Sequence, residues 1–325
     1  DFDMEDEDLI PVENIIITMT TNGYIKRNTI DTYRTQNRGG RGIKGMSVNE
    51  DDIVDQVITM STHDYLLCFT NLGKVYRIKG YRVPAASRIS KGIPTVNLLN
   101  LDKDEKVKSL VPVSVDSQSK YLFFVTTQGL VKRVHVSEFE SIRQNGKIAI
   151  SLKDDDELFG VKLTSGEDEI IIAGTNGKAV RFEETDVRPM GRNAAGVKGY
   201  NVDGGFVVGV ATNREGNFIL SVTEKGYGKK TTLDDYRKTS RGAKGVNTIN
   251  ITERNGGLVT LRAVGGDEDL LIITDAGIVI RISLKDVSVY GRNTQGVKLI
   301  NVDEECVVSS VAVVEHENDE EIVAE

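Results

Sequence analysis

Tryptophan is absent from this 325-residue chain, cysteine occurs twice and proline five times. Each scarcity excludes something. Cys68 and Cys306 lie far apart, which argues against a disulfide framework and suits a reducing cytoplasm. With His63, His135 and His316 they form no metal-ligand spacing, so no metal site is expected. No Gly-x-x-x-x-Gly-Lys-[Ser/Thr] stretch is available to cradle a nucleotide phosphate, and no cofactor is expected. Long apolar runs are also missing. Uninterrupted ones such as Ile170-Ile171-Ile172-Ala173 have strand length, far short of the ~20 residues of a membrane helix, and no secretory signal opens the sequence. No membrane partner is expected.

The two ends lack positive charge. Residues 1–13 carry seven acids and no base, and residues 315–325 carry six acids and no base with His316 neutral. Set against a net charge of −8, those thirteen acids leave residues 14–314 at +5. We read 1–13 as an acidic linker, 14–314 as one mildly basic body and 315–325 as an acidic C-terminal tail. The tail is either plainly solvated or a competitor of a polyanion for the body. The sequence opens on Asp1, so the linker is expected to lead from a missing N-terminal region.

Glycine is plentiful, with 32 residues, and its placement is periodic. A turn glycine recurs at Gly23, Gly73, Gly129, Gly177, Gly226 and Gly277, spaced by 50, 56, 48, 49 and 51 residues. Four residues after each stands a base: Arg27, Arg77, Arg133, Arg181, Lys230 or Arg281. Ten residues after each stands an apolar or aromatic residue: Tyr33, Val83, Phe139, Val187, Tyr236 or Val287. Runs rich in β-branched and aromatic residues precede the glycines, among them Ile15–Met19, Tyr65–Phe69 and Tyr121–Val125. Asn22-Gly23 and Asn176-Gly177 are strong hairpin signals, because the turn needs positive φ. Each unit closes on another apolar strand, as at Val57–Met60, Val207–Ala211 and Val307–Val314. Length alone favours about two domains. Six units of about 50 residues with four short strands each favour instead an all-β, six-bladed closed ring. The one weak helical candidate is the acidic stretch Asn49–Val57.

A second glycine follows in each unit, at Gly42, Gly92, Gly146, Gly196, Gly242 and Gly296, lying 19, 19, 17, 19, 16 and 19 residues after the first. Four residues before it comes Arg38, Arg88, Arg192, Lys238 or Arg292, with Ile142 the exception. Directly before it stand Arg41, Lys91 and Arg241, and two residues after it Lys44, Lys198, Lys244 and Lys298. Equivalent loops of a ring form a belt, and a belt of cations suits a long polyanion. Duplex DNA is the natural candidate, held through phosphates without sequence information. The bases four residues after the first glycines share strand parity with Ile25, Val75 and Val131. They are either inter-blade structural pairs or further contacts to the polyanion.

The richest loop is Gln36-Asn37-Arg38-Gly39-Gly40-Arg41-Gly42, followed by Lys44. It resembles the Gln-Arg-Arg-Gly-Gly-Arg-Gly box of the gyrase A family of DNA topoisomerases, with Asn37 replacing one arginine, and the repeats extend the resemblance over residues 14–314. The resemblance implies the C-terminal β-pinwheel of that family, a propeller-like disc with strands exchanged between blades. It implies a domain that wraps DNA in the positive sense and supports ATP-dependent negative supercoiling. Such a domain is no enzyme alone, since the cleavage tyrosine lies in the N-terminal part of its own polypeptide and the ATPase in gyrase B. The implied assembly is A2B2, in the bacterial cytoplasm. The equivalent chain of topoisomerase IV is the nearest alternative, its box usually being degenerate.

Two other classes fit less well. Gly40-Arg41-Gly42-Ile43-Lys44-Gly45 satisfies the dinucleotide-binding G-x-G-x-x-G pattern, but that motif needs a strand directly before it and a helix directly after. Here Thr35-Gln36-Asn37 before it is a poor strand, and the segment after it reads as strand-like beyond a short acidic turn. A protein-interaction propeller of the WD-repeat type would share the architecture, yet the repeats lack Trp-Asp and a scaffold has no need for aligned cations.

Overall fold

The first strand of each repeat is apolar at consecutive positions, so neither of its faces can be left to water. In the second repeat, Tyr65–Thr70, every residue after the first is buried. The computed structural model describes residues 7–29, 52, 54–87, 89–114 and 119–316, and it shows how both faces are covered. Alternate side chains of one strand enter different cores. Leu66 and Cys68 pack with Ile15, Ile17 and Met19 of the preceding repeat, whereas Leu67 and Phe69 pack with Leu122 and Phe124 of the following one. The cores therefore lie between blades. A lone blade would expose about half of its apolar side chains.

The first strands are Asn14–Thr20, Tyr65–Thr70, Tyr121–Thr126, Glu169–Gly174, Phe218–Thr223 and Asp269–Thr274. Each forms an antiparallel hairpin with a second strand: Tyr24–Thr29, Lys74–Lys79, Leu130–His135, Lys178–Glu183, Tyr227–Thr232 or Val279–Ser283. The closing strands Val54–Ser61, Val107–Val113, Leu158–Thr164, Val207–Thr212, Leu258–Val264 and Val308–Val314 pair on the other side of the first strands. Successive closing strands pack against one another, and the last packs against the first. Val57 of the first repeat joins Leu271, Ala312 and Val314 of the sixth in one apolar cluster. Six repeats thus close into a ring with the closing strands innermost.

The outermost strand of five sheets comes from the next repeat. Ile93–Pro94 pairs with Tyr24–Thr29, and the pattern recurs with Lys147–Ile148, Val197–Lys198, Val246–Asn247 and Val297–Lys298. The strand exchange implied by the pinwheel resemblance is present. Five sheets have four strands; among the described residues the sixth has three. The turn glycines fit the positive φ expected of them. A Cβ on Gly129, at φ +89°, would stand 2.3 Å from the carbonyl oxygen of Tyr200 in the next repeat.

After the second strand a 3-10 turn, such as Glu184–Asp186 or Leu233–Asp235, delivers the residue ten positions beyond the turn glycine into the core. Val83, Phe139, Val187, Tyr236 and Val287 are all buried there. The helix expected over Asn49–Val57 is corrected in its described part. Val54–Ser61 is a strand, paired along its length with Asn14–Thr20, and sheet pairing overrides the local acidic pattern. Residues before the first strand pack beside the second repeat, with the Glu7 carboxylate 3.4 Å from Lys79 Nζ and the Pro11 carbonyl accepting from Thr62 Oγ1.

Candidate nucleic-acid interface

Between each 3-10 turn and the short outer strand runs the loop that carries the candidate cations. Strand exchange sets it on the outer edge of the preceding blade, and hence on the rim. Main-chain bonds fix it there: the N–H of Thr95, Ala149, Gly199, Thr248 or Leu299 donates to the carbonyl of the turn glycine of the preceding repeat, Gly23, Gly73, Gly129, Gly177 or Gly226, at 2.7–2.9 Å.

These contacts revise one register. Thr95, Ala149, Gly199 and Leu299 each lie three residues after the second glycine of their repeat, whereas Thr248 lies three residues after Gly245. A Cβ on Gly245, at φ +84°, would meet the Ala179 carbonyl oxygen at 2.2 Å, as one on Gly92 would meet that of Ile25 at 2.2 Å. One on Gly242 would meet nothing closer than 3.5 Å. The fifth repeat is therefore read three residues too early from its charge pattern. Its second glycine is Gly245, with Arg241 four residues before it and Lys244 directly before it.

In the corrected register three arginines do the same thing. Nη1 of Arg192 donates to the Ile148 carbonyl at 2.9 Å, that of Arg241 to Lys198 at 2.9 Å, and that of Arg292 to Asn247 at 3.1 Å. Each acceptor ends the short outer strand of the preceding repeat, so the arginines link neighbouring loops along the rim. Lys198 and Lys298 are exposed on the outer strands themselves. Lys91 sits over the Tyr24 ring at 4.4 Å. Lys244 is exposed, 3.4 Å from an Asp203 carboxylate oxygen. Lys238 bridges Glu169 and Glu183 at 3.1 and 2.7 Å, which raises its pKa and commits its charge within the protein. Burial acts upward on the Glu169 carboxyl, but the hydrogen bonds from Arg181 and Lys238 prevail and lower it. Gln36, Asn37, Arg38, Gly39, Gly40, Arg41, Gly42, Lys44 and Arg88 lie outside the described residues.

Of the bases four residues after the first glycines, Arg27, Arg133 and Arg181 turn inward to the next repeat, whereas Arg77 lies over the Tyr65 ring, Lys230 over the Phe218 ring and Arg281 pairs with Asp269, each within its own repeat. Arg27 Nε donates to Val83 O at 2.6 Å, Arg133 Nε to Val187 O at 2.5 Å and Arg181 Nη1 to Tyr236 O at 2.8 Å. Arg133 also approaches the fully buried Glu184 at 3.3 Å, whose carboxyl burial pushes up. These are inter-blade ties. The sequence alone leaves that choice open.

The spacing from the second glycine misses other cations. Arg143, Arg188, Arg237 and Arg254 are exposed, and Arg143 follows the apolar exception Ile142 in the third loop. Lys26, Lys132 and Lys229 escaped notice for the opposite reason: they stand three residues after a turn glycine and are buried. Their counterparts in the other repeats are Tyr76, Val180 and Ile280, and that alternation was the available signal. Burial pushes the Lys132 ammonium down to about 7 and that of Lys229 to about 8. Burial likewise pushes the Cys68 thiol up to about 12, which leaves it unreactive.

A family model described as DNA gyrase C-terminal domain, beta-propeller, matches six successive segments: residues 14–60, 64–114, 120–165, 168–214, 217–264 and 268–315. The chain belongs to this family. It is 50% identical over 321 residues to the DNA gyrase A protein of Staphylococcus epidermidis, covering 98% of this chain and 36% of that protein. For the gyrase A protein of Ureaplasma parvum the figures are 49% over 325 residues, 99% and 39%. The chain thus spans little more than a third of these gyrase A relatives. A solved DNA gyrase A C-terminal domain superposes with a TM-score of 0.77 at 27% identity, covering 93% of this chain and 100% of that one. The C-terminal domain of a DNA topoisomerase IV gives 0.76 at 27%, covering 94% of each.

Proposed function

We propose that this chain binds duplex DNA without sequence preference and wraps it around its rim, as the C-terminal domain of a DNA gyrase A protein. The observation that carries the reading is the repetition of Arg192, Arg241 and Arg292 at one position of successive loops, with Lys198 and Lys298 beside them. A smooth bend of 40–90° over 20–30 base pairs costs roughly 1–6 kcal/mol, and contacts repeated around a circumference offset it. The box residues Gln36–Gly42 with Lys44, and Arg88, extend the belt into loops outside the described residues. In this reading the chain has no catalytic role of its own. Cleavage and ATP hydrolysis reside in the N-terminal part of the polypeptide and in gyrase B, within an A2B2 complex of the bacterial cytoplasm.

Topoisomerase IV is the second reading, because a topoisomerase IV domain superposes almost as well as a gyrase A domain. The 50% identity to a gyrase A protein favours gyrase. One experiment tests both. A circular plasmid is relaxed by a nicking-closing enzyme with this chain bound, then deproteinised. A positive shift in linking number, growing with protein, is expected of the gyrase reading. Binding without a shift supports the topoisomerase IV reading and removes wrapping.

A further inference from the structure

Beneath alternate rim loops lies a buried ammonium group. Lys132 Nζ donates to the Gly191 and Arg192 carbonyls at 3.0 and 2.7 Å. Lys229 Nζ donates to the Gly291, Arg292 and Thr294 carbonyls at 2.6, 2.9 and 3.0 Å. Lys26 Nζ donates to the Ser87 and Ser90 carbonyls at 3.2 and 2.6 Å. Each lysine belongs to one repeat and grips the loop of the next, from a side chain at most 2% exposed. The loops of the third and fifth repeats lie over Tyr76 and Val180 instead. Val180 has no polar group to offer, and the Tyr76 hydroxyl is engaged by the Asn100 carbonyl and Glu105.

A buried ammonium is costly unless its donors are met. Here the loop's own carbonyls meet them, so the charge is accommodated only while the loop keeps its shape. The loop cannot turn its carbonyls to water without stranding the lysine. The gripped carbonyls include those of Arg192 and Arg292, the residues whose side chains form the rim.

We propose that Lys26, Lys132 and Lys229 are positioning residues that pre-set alternate loops of the rim, making three braced grips a third of a turn apart with loops that lack a lysine brace between. This rests on the DNA-wrapping reading. It adds that binding is preorganised at alternate loops: the braced arginines meet phosphate without ordering their backbone first, which is where preorganisation contributes to affinity.

The test uses Lys132→Met and Lys229→Met in the whole chain, with the exposed Lys153→Met as the control for losing one charge. Amide hydrogen exchange is followed at Ala194 and Thr294, whose N–H groups donate to the braced Gly191 and Gly291 carbonyls. Faster exchange at Ala194 in the Lys132 variant, and at Thr294 in the Lys229 variant, is expected, with the blade strands unchanged. DNA affinity is measured against salt in Lys132→Met, Arg192→Gln and the double variant. Loss of one phosphate contact makes affinity fall about three- to fourfold less between 50 and 200 mM salt. Lys132→Met should show most of that change in the wild-type background and almost none in Arg192→Gln. Additive effects, or loop exchange equal to that of the control, overturn the proposal. If the Met variants melt below the assay temperature, Gln at the same positions, which keeps an amide donor, is used for the same comparison. If the wild-type chain neither binds nor wraps DNA, the wrapping reading falls and loop exchange alone decides whether the brace stands.

Discussion

Arg292 reaches back across a repeat boundary to Asn247, its Nη1 donating to that carbonyl at 3.1 Å while its Nε donates to the Asp235 carbonyl at 2.7 Å. Arg241 repeats the geometry one blade earlier, with Nη1 on Lys198 and Nε on Asp186. Guanidinium has five N–H donors in one plane. Two of them tie neighbouring loops together, and the plane is thereby fixed for a phosphate to meet the others.

The two roles separate in substitution. Arg292→Lys keeps the charge and loses the fork. Its salt slope for DNA binding should stay at the wild-type value, while loss of two hydrogen bonds lowers stability by about 1–3 kcal/mol. Arg292→Gln should show the same loss of stability and also a slope shallower by about 0.9. Anisotropy titrations across salt, read beside thermal melts, distinguish these outcomes.

What could be read beforehand followed from what is local. A base four residues after a turn glycine and, in the five repeats where that position is described, a core residue ten residues after it are fixed by strand parity and by a 3-10 turn, and both are periodic in the sequence. The partner of each side chain was not legible, because strand exchange sets it in the next repeat, about 50 residues away. In the fifth repeat Gly242 and Gly245 both sit among cations, and the pattern of charge pointed to the wrong one. The spacing of 19 residues from Gly226 to Gly245, shared with four other repeats, was the better signal, because it counts main-chain positions and charge does not.

That choice of glycine has a stability consequence. Both Gly242 and Gly245 have positive φ, which costs an L-residue about 1–2 kcal/mol. Gly245→Ala must also displace the Ala179 backbone, which its Cβ would approach to 2.2 Å. Urea denaturation should show Gly242→Ala costing about that αL penalty and Gly245→Ala costing clearly more. Equal costs would restore Gly242 as the second glycine of its repeat.

Glu184 is fully buried, burial raises its pKa above 4.5, and its Oε2 lacks a hydrogen-bond partner. The folded chain therefore holds this proton more tightly than the unfolded one. The contribution of Glu184 to stability is greatest below pH 4.5 and falls as pH rises through its raised value. Glu184→Gln should gain on the wild type as pH rises from 4 to 7. Arg133→Met, which leaves the Glu184 charge buried alone, should lose about 3–5 kcal/mol at neutral pH. Denaturation of the three proteins across that range tests both statements.

Lys238 and Arg241 stand three residues apart in the fifth repeat, and both are exposed. Exposure alone would make them equal partners for phosphate. Their neighbours make them unequal. Lys238 faces two carboxylates, Glu169 and Glu183, so a phosphate approaching it meets negative charge already in place. Arg241 is held by the main-chain carbonyls of Asp186 and Lys198, which orient it without neutralising it. Lys238→Ala should leave the salt slope of DNA binding near the wild-type value. Arg241→Ala should lower it by about 0.9, the share of one phosphate. The reverse order would mean that the carboxylates release Lys238 when DNA arrives, and that the rim is assembled by its ligand.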